Sequence, residues 1–150
     1  MRLRAIVCAF LLFSACDDES SVLVPPESDA LTRARSSWTA LDHHDYQLTQ
    51  ERLCFCLLGG QPVRLTVQSD SLVSGMLLID STMLTAEELQ YYHGVEGLFD
   101  FVAGIDPSQV AEFQLSFDSL FHFPSDVWVD YDRNIADEEI GFRSYDFTPL

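Results

Sequence analysis

Three stretches of this chain repeat with a period of two. Val63, Leu65 and Val67 alternate with Arg64, Thr66 and Gln68. Phe113, Leu115 and Phe117 alternate with Glu112, Gln114, Ser116 and Asp118, and Val127, Val129 and Tyr131 with Asp126, Trp128, Asp130 and Asp132. Successive side chains of a strand point to opposite faces, so each stretch predicts a strand with one apolar and one wet face.

Between these strands lie further signals. Tyr46 to Leu57 reads as extended, Gly59-Gly60 and Pro62 as a turn, and Ser69-Asp70-Ser71 as a hairpin into a strand over Leu72 to Ile79. A last strand is predicted over Phe142 to Thr148. Leu31, Ala34, Trp38 and Leu41 recur at helical spacing behind Ser28 or Asp29 as N-cap, and His43-His44-Asp45 ends that helix. Thr85-x-x-Glu88 is a capping box, with Leu84 and Leu89 placed as a hydrophobic staple and Gly94 as the stop. A further helix is predicted over Val95 to Ala103, before Gly104 and Pro107. The order is α-βββ-α(α)-βββ. It predicts an α+β fold, an antiparallel β-sheet of about six strands with helices packed on one face.

The N-terminus has another character. Arg2 and Arg4 precede an apolar run from Ala5 to Phe13, followed by Ser14, Ala15 and Cys16. A basic head, a short apolar segment and small residues form a secretory signal, far short of the ~20 residues a membrane-spanning helix needs. Phe13-Ser14-Ala15-Cys16 resembles the bacterial lipobox, in which the Cys is acylated before cleavage on its N-terminal side. The expected organisation is a lipoprotein signal peptide over 1–15, a lipid-anchored tether over 16–27 and one α+β domain over 28–150. Lipid contributes about 0.8 kcal/mol per buried methylene, and two or more chains give stable anchoring. The expectation is export, with the lipid on Cys16 in a bacterial membrane and the domain in the periplasm or outside the cell.

The chain carries 24 Asp and Glu against 8 basic residues, all Arg, for a formal charge of −16. Such a surface repels nucleic acid and anionic headgroups and attracts cations or basic proteins. Its 47% hydrophobic content suffices for a real core.

Trp38, Tyr46, Cys54-Phe55-Cys56, Leu98-Phe99-Asp100, Phe117-Asp118, Phe123-Pro124 and Asp137-Glu138-Glu139 form a series in fixed order. The series resembles a family of uncharacterised bacterial secreted proteins and lipoproteins, classed as a domain of unknown function. One departure precedes Pro124, where the family pattern has a Gly and this chain has Phe121-His122-Phe123. The resemblance implies an envelope location and brings no known activity or cofactor.

Two clusters carry the candidate chemistry. With Cys8 lost and Cys16 acylated, Cys54 and Cys56 remain, in a compartment that permits disulfides. In a regular strand they share a face with Cβ atoms too far apart for the 3.5–4.5 Å or so a disulfide requires, so bonding needs a bulge or turn at Phe55. A thiol-exchange role, or zinc completed by His43 and His44, are the alternatives. The second cluster is Asp130, Asp132, Asn134, Asp137 and Glu138, tentative ligands for calcium. Asp130-x-Asp132-x-Asn134 opens as a calcium loop does, but Ile135 stands where the sharp turn needs Gly and Gly141 where a bidentate Glu belongs. No nucleophile elbow, phosphate loop or His-Glu-x-x-His helix occurs, and His93 and His122 are isolated. The expected function is therefore a non-catalytic binding domain for an envelope protein or cell-wall partner, with no resident cofactor. A calcium- or metal-responsive envelope module using the segment from Asp130 to Glu139 and a thiol-disulfide active protein using Cys54 and Cys56 are the alternatives.

Overall fold

The computed structural model describes residues 29–150. The export signal over 1–15, the lipidation site Cys16, the tether over 16–27 and Ser28 lie outside the described residues. The elements in chain order are α1 (Asp29–Ala40), β1 (Tyr46–Leu53), β2 (Val63–Gln68), β3 (Ser71–Leu77), α2 (Ala86–Leu89) and α3 (Val95–Ala103). A 3-10 turn at Pro107–Gln109 follows, then β4 (Glu112–Phe117), β5 (Pro124–Asp130) and β6 (Ile140–Pro149). The six strands form one antiparallel sheet in the order β3-β2-β1-β6-β5-β4. Two three-stranded meanders are thus joined at the centre by the first and last strands, paired from Tyr46 opposite Pro149 to Leu53 opposite Gly141.

Local sequence explains much of this. In β2, Val63, Leu65 and Val67 are buried and Arg64, Thr66 and Gln68 are not. Ser69 and Asp70 both take left-handed φ, 47° and 62°, the two-residue turn whose twist matches the flanking strands. The Ser69 N–H donates to the Asp45 carboxylate at 2.8 Å, and the Asp70 N–H to the His44 carbonyl at 3.0 Å, so the loop after α1 holds the hairpin. Within Phe121-His122-Phe123, His122 adopts φ 64°, the region a glycine favours.

The main core joins Leu31, Ala34 and Trp38 of α1 and Val95, Leu98, Phe99 and Val102 of α3 to strand residues such as Leu48, Val67, Val127 and Phe142. Trp38 stands edge-on to Tyr46 and Phe147, at 5.6 and 5.4 Å between ring centroids. A smaller cluster gathers Val63, Leu65, Leu77 and Tyr92 beneath Leu58, Leu84 and Leu89.

The helices are smaller than the sequence signals suggest. The capping box forms, yet α2 is a single turn with no buried residue, and Gly94 is the N-cap of α3 rather than a stop. The first helix ends at Ala40: tight bonds from Leu41 to Trp38 and from Asp42 to Thr39, with Asp42 at φ 57°, turn the chain away and leave Leu41 exposed. The third strand stops at Leu77, two residues before Ile79, because Leu77 turns to pair with Thr82 and Ser81. Tyr131, expected on the apolar face with Val127 and Val129, lies beyond the end of β5 and is exposed, since pairing with β6 ends at Val129 opposite Ile140. Among the described residues no helix is long and apolar enough to cross a membrane.

Gly141 lies in β6 against both neighbours. A Cβ there would meet the Val127 carbonyl oxygen, with the Trp128 ring and Leu53 close behind. Gly141→Ala should therefore destabilise the fold by about 1–3 kcal/mol through overpacking, read as a lowered thermal midpoint.

Candidate functional site

Gln50 organises the end of β1. It is fully buried. Its Nε2 donates to the His93 carbonyl and to Ser144 Oγ, both at 3.1 Å, and its Oε1 accepts the His93 N–H at 3.0 Å. Four residues earlier, Tyr46 Oη accepts the Val95 N–H at 2.8 Å, taking up a donor that the first turn of α3 leaves free. Burial pushes the Tyr46 phenol up to about 12. These bonds clamp the segment entering α3 onto β1.

Residues two apart on a strand share a face, so the clamp also decides what meets Arg52. Its guanidinium carbon lies 4.9 Å from the Tyr91 ring centroid and 5.8 Å from that of Tyr92. Beyond Leu53 the chain leaves the strand, and Cys54 and Cys56 are disulfide-bonded with Cα atoms 5.3 Å apart. Closure follows the departure from regular geometry that this spacing demanded. The Gly60 N–H returns to the Arg52 carbonyl at 2.7 Å, with Gly60 at φ 70°. The loop so closed brings Leu57 and Leu58 opposite the two tyrosines.

Between them is a cleft of about 500 Å³. Arg52, Leu57 and Leu58 line it on the β1 side, with Cys56 beside them, and Glu87, Tyr91 and Tyr92 face them. Two polar atoms of its lining residues are buried without a hydrogen-bond partner among the described residues, Arg52 Nε and Tyr92 Oη. Tyr92 is 3% exposed, and burial raises its phenol while the Arg52 charge opposes that rise. Arg52 Nη1 reaches the Leu57 carbonyl at 3.5 Å. Arg35, Arg64, Arg133 and Arg143 each have a carboxylate within 4.0 Å, whereas Arg52 has no such ion pair among the described residues. His93, beneath Arg52, packs edge-on to Phe142 at 4.8 Å, and burial lowers its pKa. The arrangement can hold a hydrogen-bond acceptor against an aromatic wall.

The acidic segment assembles differently from the expected ligand set. Asp130 ends β5, and Glu138 accepts the Asp132 N–H. Asp132 in turn accepts the Asn134 N–H at 3.0 Å and Asn134 Nδ2 at 2.8 Å, capping its own turn. Asn134 and Asp137 are exposed. Of the five, Asn134 bonds Asp132 and Asp130 lies against Glu138, but the two pairs do not join into one ligand set. Asp130 Oδ1 is buried with no hydrogen-bond partner among the described residues, and the pKa of its carboxyl is raised by burial first and then by Glu138, Glu139 and Glu112. Among the described residues no three His, Cys, Asp or Glu side chains have the arrangement of a metal site.

His43 and His44, the zinc candidates, lie before β1 and the cysteines after it. An eight-residue strand holds the two ends roughly 26 Å apart. His44 instead bridges Asp70 at 2.8 Å and Asp42 at 3.1 Å, and the Asp70 bond raises its pKa. Sequence reasoning missed Arg52, Tyr91 and Tyr92 altogether. The available signal was an arginine on the Gln50 face, two residues before the first cysteine, but nothing local links it to tyrosines about forty residues on.

A model of a family of unknown function (DUF6174) matches residues 30–149. No curated protein and no solved structure matches the chain.

Two substitutions test this geometry. Gln50→Leu strands the His93 N–H and carbonyl and should cost about 3 kcal/mol in urea unfolding, unlike a surface change. Asp130→Asn should raise the thermal midpoint at neutral pH. The raised native pKa means that the carboxylate costs stability above it, so the gain should shrink as pH falls through that value into the ordinary carboxylate range.

Proposed function

The chain belongs to this family of unknown function, and we propose that it is a non-catalytic binding domain of the bacterial cell envelope. In this reading lipid on Cys16 holds it at a membrane. Its partner, an envelope protein or cell-wall component, enters the cleft between Arg52 and the Tyr91-Tyr92 pair. The observation that carries the reading is the coincidence, in residues of one aromatic-walled cleft, of two buried polar atoms with no hydrogen-bond partner among the described residues. Buried polar groups are nearly always satisfied, and an orphan costs about 1–3 kcal/mol unless something else satisfies it. Concave sites with apolar walls and a few convergent polar groups are where ligands bind. The apolar Phe55 and Leu57, 82% and 75% exposed on the disulfide loop, offer further contact area close by.

The finer features of the fold and location belong to the same reading. One face of the sheet carries the helices, and α2 forms part of the wall of the cleft at the end of β1. The basic head, apolar run and Cys16 support lipid anchoring, and the strongly acidic surface disfavours nucleic acid as a partner. Calcium is a second reading, favoured by the unpartnered Asp130 Oδ1 beside Glu138. Calorimetry of the intact chain with calcium separates the two: no heat and no shift in thermal midpoint removes it.

The principal test is capture of an envelope component by the intact lipidated chain. The expected result is that a Leu57→Asp variant loses this component while a variant at Asp118, outside the cleft, retains it. Equal capture by both would overturn the cleft as the binding site. Metabolic labelling with palmitate should mark the wild type and not Cys16→Ser. An unlabelled wild type would overturn the anchor.

A further inference from the structure

Arg52 presents a particular edge to the cleft. Its Nη1 is turned to the Leu57 carbonyl, so the side formed by Nε and Nη2 is left, with Nε buried and without a hydrogen-bond partner among the described residues. That edge offers two parallel N–H groups, the spacing that a carboxylate accepts in bidentate fashion. Tyr92, 3% exposed, lines the facing side of the same cleft and carries a second buried group with no hydrogen-bond partner among the described residues, its hydroxyl.

We infer that the cleft is a carboxylate site: the ligand's carboxylate sits on the Nε–Nη2 edge of Arg52, the Tyr92 hydroxyl donates to it, and the ligand's apolar body lies between Tyr91 and Leu57. This deepens the binding reading above and rests on it. Three observations choose a carboxylate among anions. Arg52 supplies one positive charge with no ion pair of its own among the described residues, so the site neutralises a single charge. Glu87 is exposed at the mouth and repels a multiply charged group such as a phosphate monoester. Glu88 does not compete for Arg52, because its carboxylate accepts the Thr85 N–H and Oγ1 at 2.8 Å each in the capping box.

The stacking of Arg52 fixes the plane of the fork. A guanidinium lying against Tyr91 and Tyr92 holds its N–H groups in a set direction, so less freedom is lost when a planar group docks. The cleft volume of about 500 Å³ suits an acid the size of an aromatic amino acid or the last residues of a peptide. A free organic acid and a peptide C-terminus share this chemistry.

The test uses the intact chain with arginine side chains labelled for NMR, titrated with N-acetyl-phenylalanine, N-acetyl-phenylalanine amide and an acetylated tripeptide ending in Phe. The expected result is a shift of the Arg52 Nε–H resonance by the acids, with the amide binding about tenfold more weakly or worse. Stronger binding of the tripeptide assigns the site to chain termini, and equal binding assigns it to small acids; both support the carboxylate. Arg52→Lys keeps the charge but loses the fork, and should weaken the acids while leaving the amide unchanged. Equal binding of acid and amide at Arg52 would overturn the carboxylate and leave the binding cleft standing. No shift of the Arg52 resonance by any of the three would overturn the carboxylate site. The comparison of acid with amide needs no variant, so a failure of Arg52→Lys to fold leaves the test intact.

Discussion

A primary amide buried under the sheet is a large commitment for a small fold. Gln50 meets it by bonding three protein groups at once, the N–H and carbonyl of His93 and the hydroxyl of Ser144. Each of those groups would be costly to leave unpaired, and so would Gln50 itself. The network therefore has a single satisfactory arrangement. It ties β1 to β6 through Ser144 and ties both central strands to the chain entering α3. Tyr46 repeats the logic at the other end of the segment by accepting the Val95 N–H. With these bonds made, α3 lies over the sheet, and Val95, Leu98, Phe99 and Val102 are buried completely.

The cleft is a geometric consequence of that clamp. Gln50 and Arg52 share a face of β1, and Tyr91 and Tyr92 immediately precede His93. Fixing His93 against Gln50 thus lays the tyrosines against Arg52. The disulfide between Cys54 and Cys56 contributes from the other side. A loop this small constrains the unfolded chain little, so its main effect is local shape. It turns the chain back at the end of β1, with the Gly60 N–H closing onto the Arg52 carbonyl, and sets Leu57 and Leu58 as the opposing wall.

Charge is handled unevenly over the molecule. Arg35, Arg64, Arg133 and Arg143 are spent on carboxylates, Arg35 on Glu96 and Asp100, while Arg52 is spent on aromatic rings. The acidic loop after β5 shows the converse. Asp132 and Glu138 are occupied with backbone N–H groups of the turn, which is why a set of residues spaced like calcium ligands does not converge. Asp130 is left against other carboxylates, and its carboxyl is raised. Exposed ion pairs contribute little in water, so most of these pairings shape the surface more than they stabilise it.

What the residues determined alone is local. The alternation in Val63–Gln68, Glu112–Phe117 and Val127–Val129, the capping box at Thr85 and the turn at Ser69-Asp70 each depend on neighbours within a few residues, and each formed as read. Three of the six strands follow from those periods, and the other three from turn signals and extended composition. The constraint on Cys54 and Cys56, that they can bond only off the strand, was also legible, because it is a matter of strand geometry alone. The tertiary structure decided the rest. Which strands pair at the centre, where α2 stops, and that Arg52 meets Tyr91 and Tyr92 all depend on contacts between residues far apart in the chain. Hydrophobic periodicity marks which face of a strand is buried but carries no information about what covers it. Gln50 takes part in that choice, because its hydrogen bonds are satisfied by the backbone of His93 and the hydroxyl of Ser144, forty-three and ninety-four residues away.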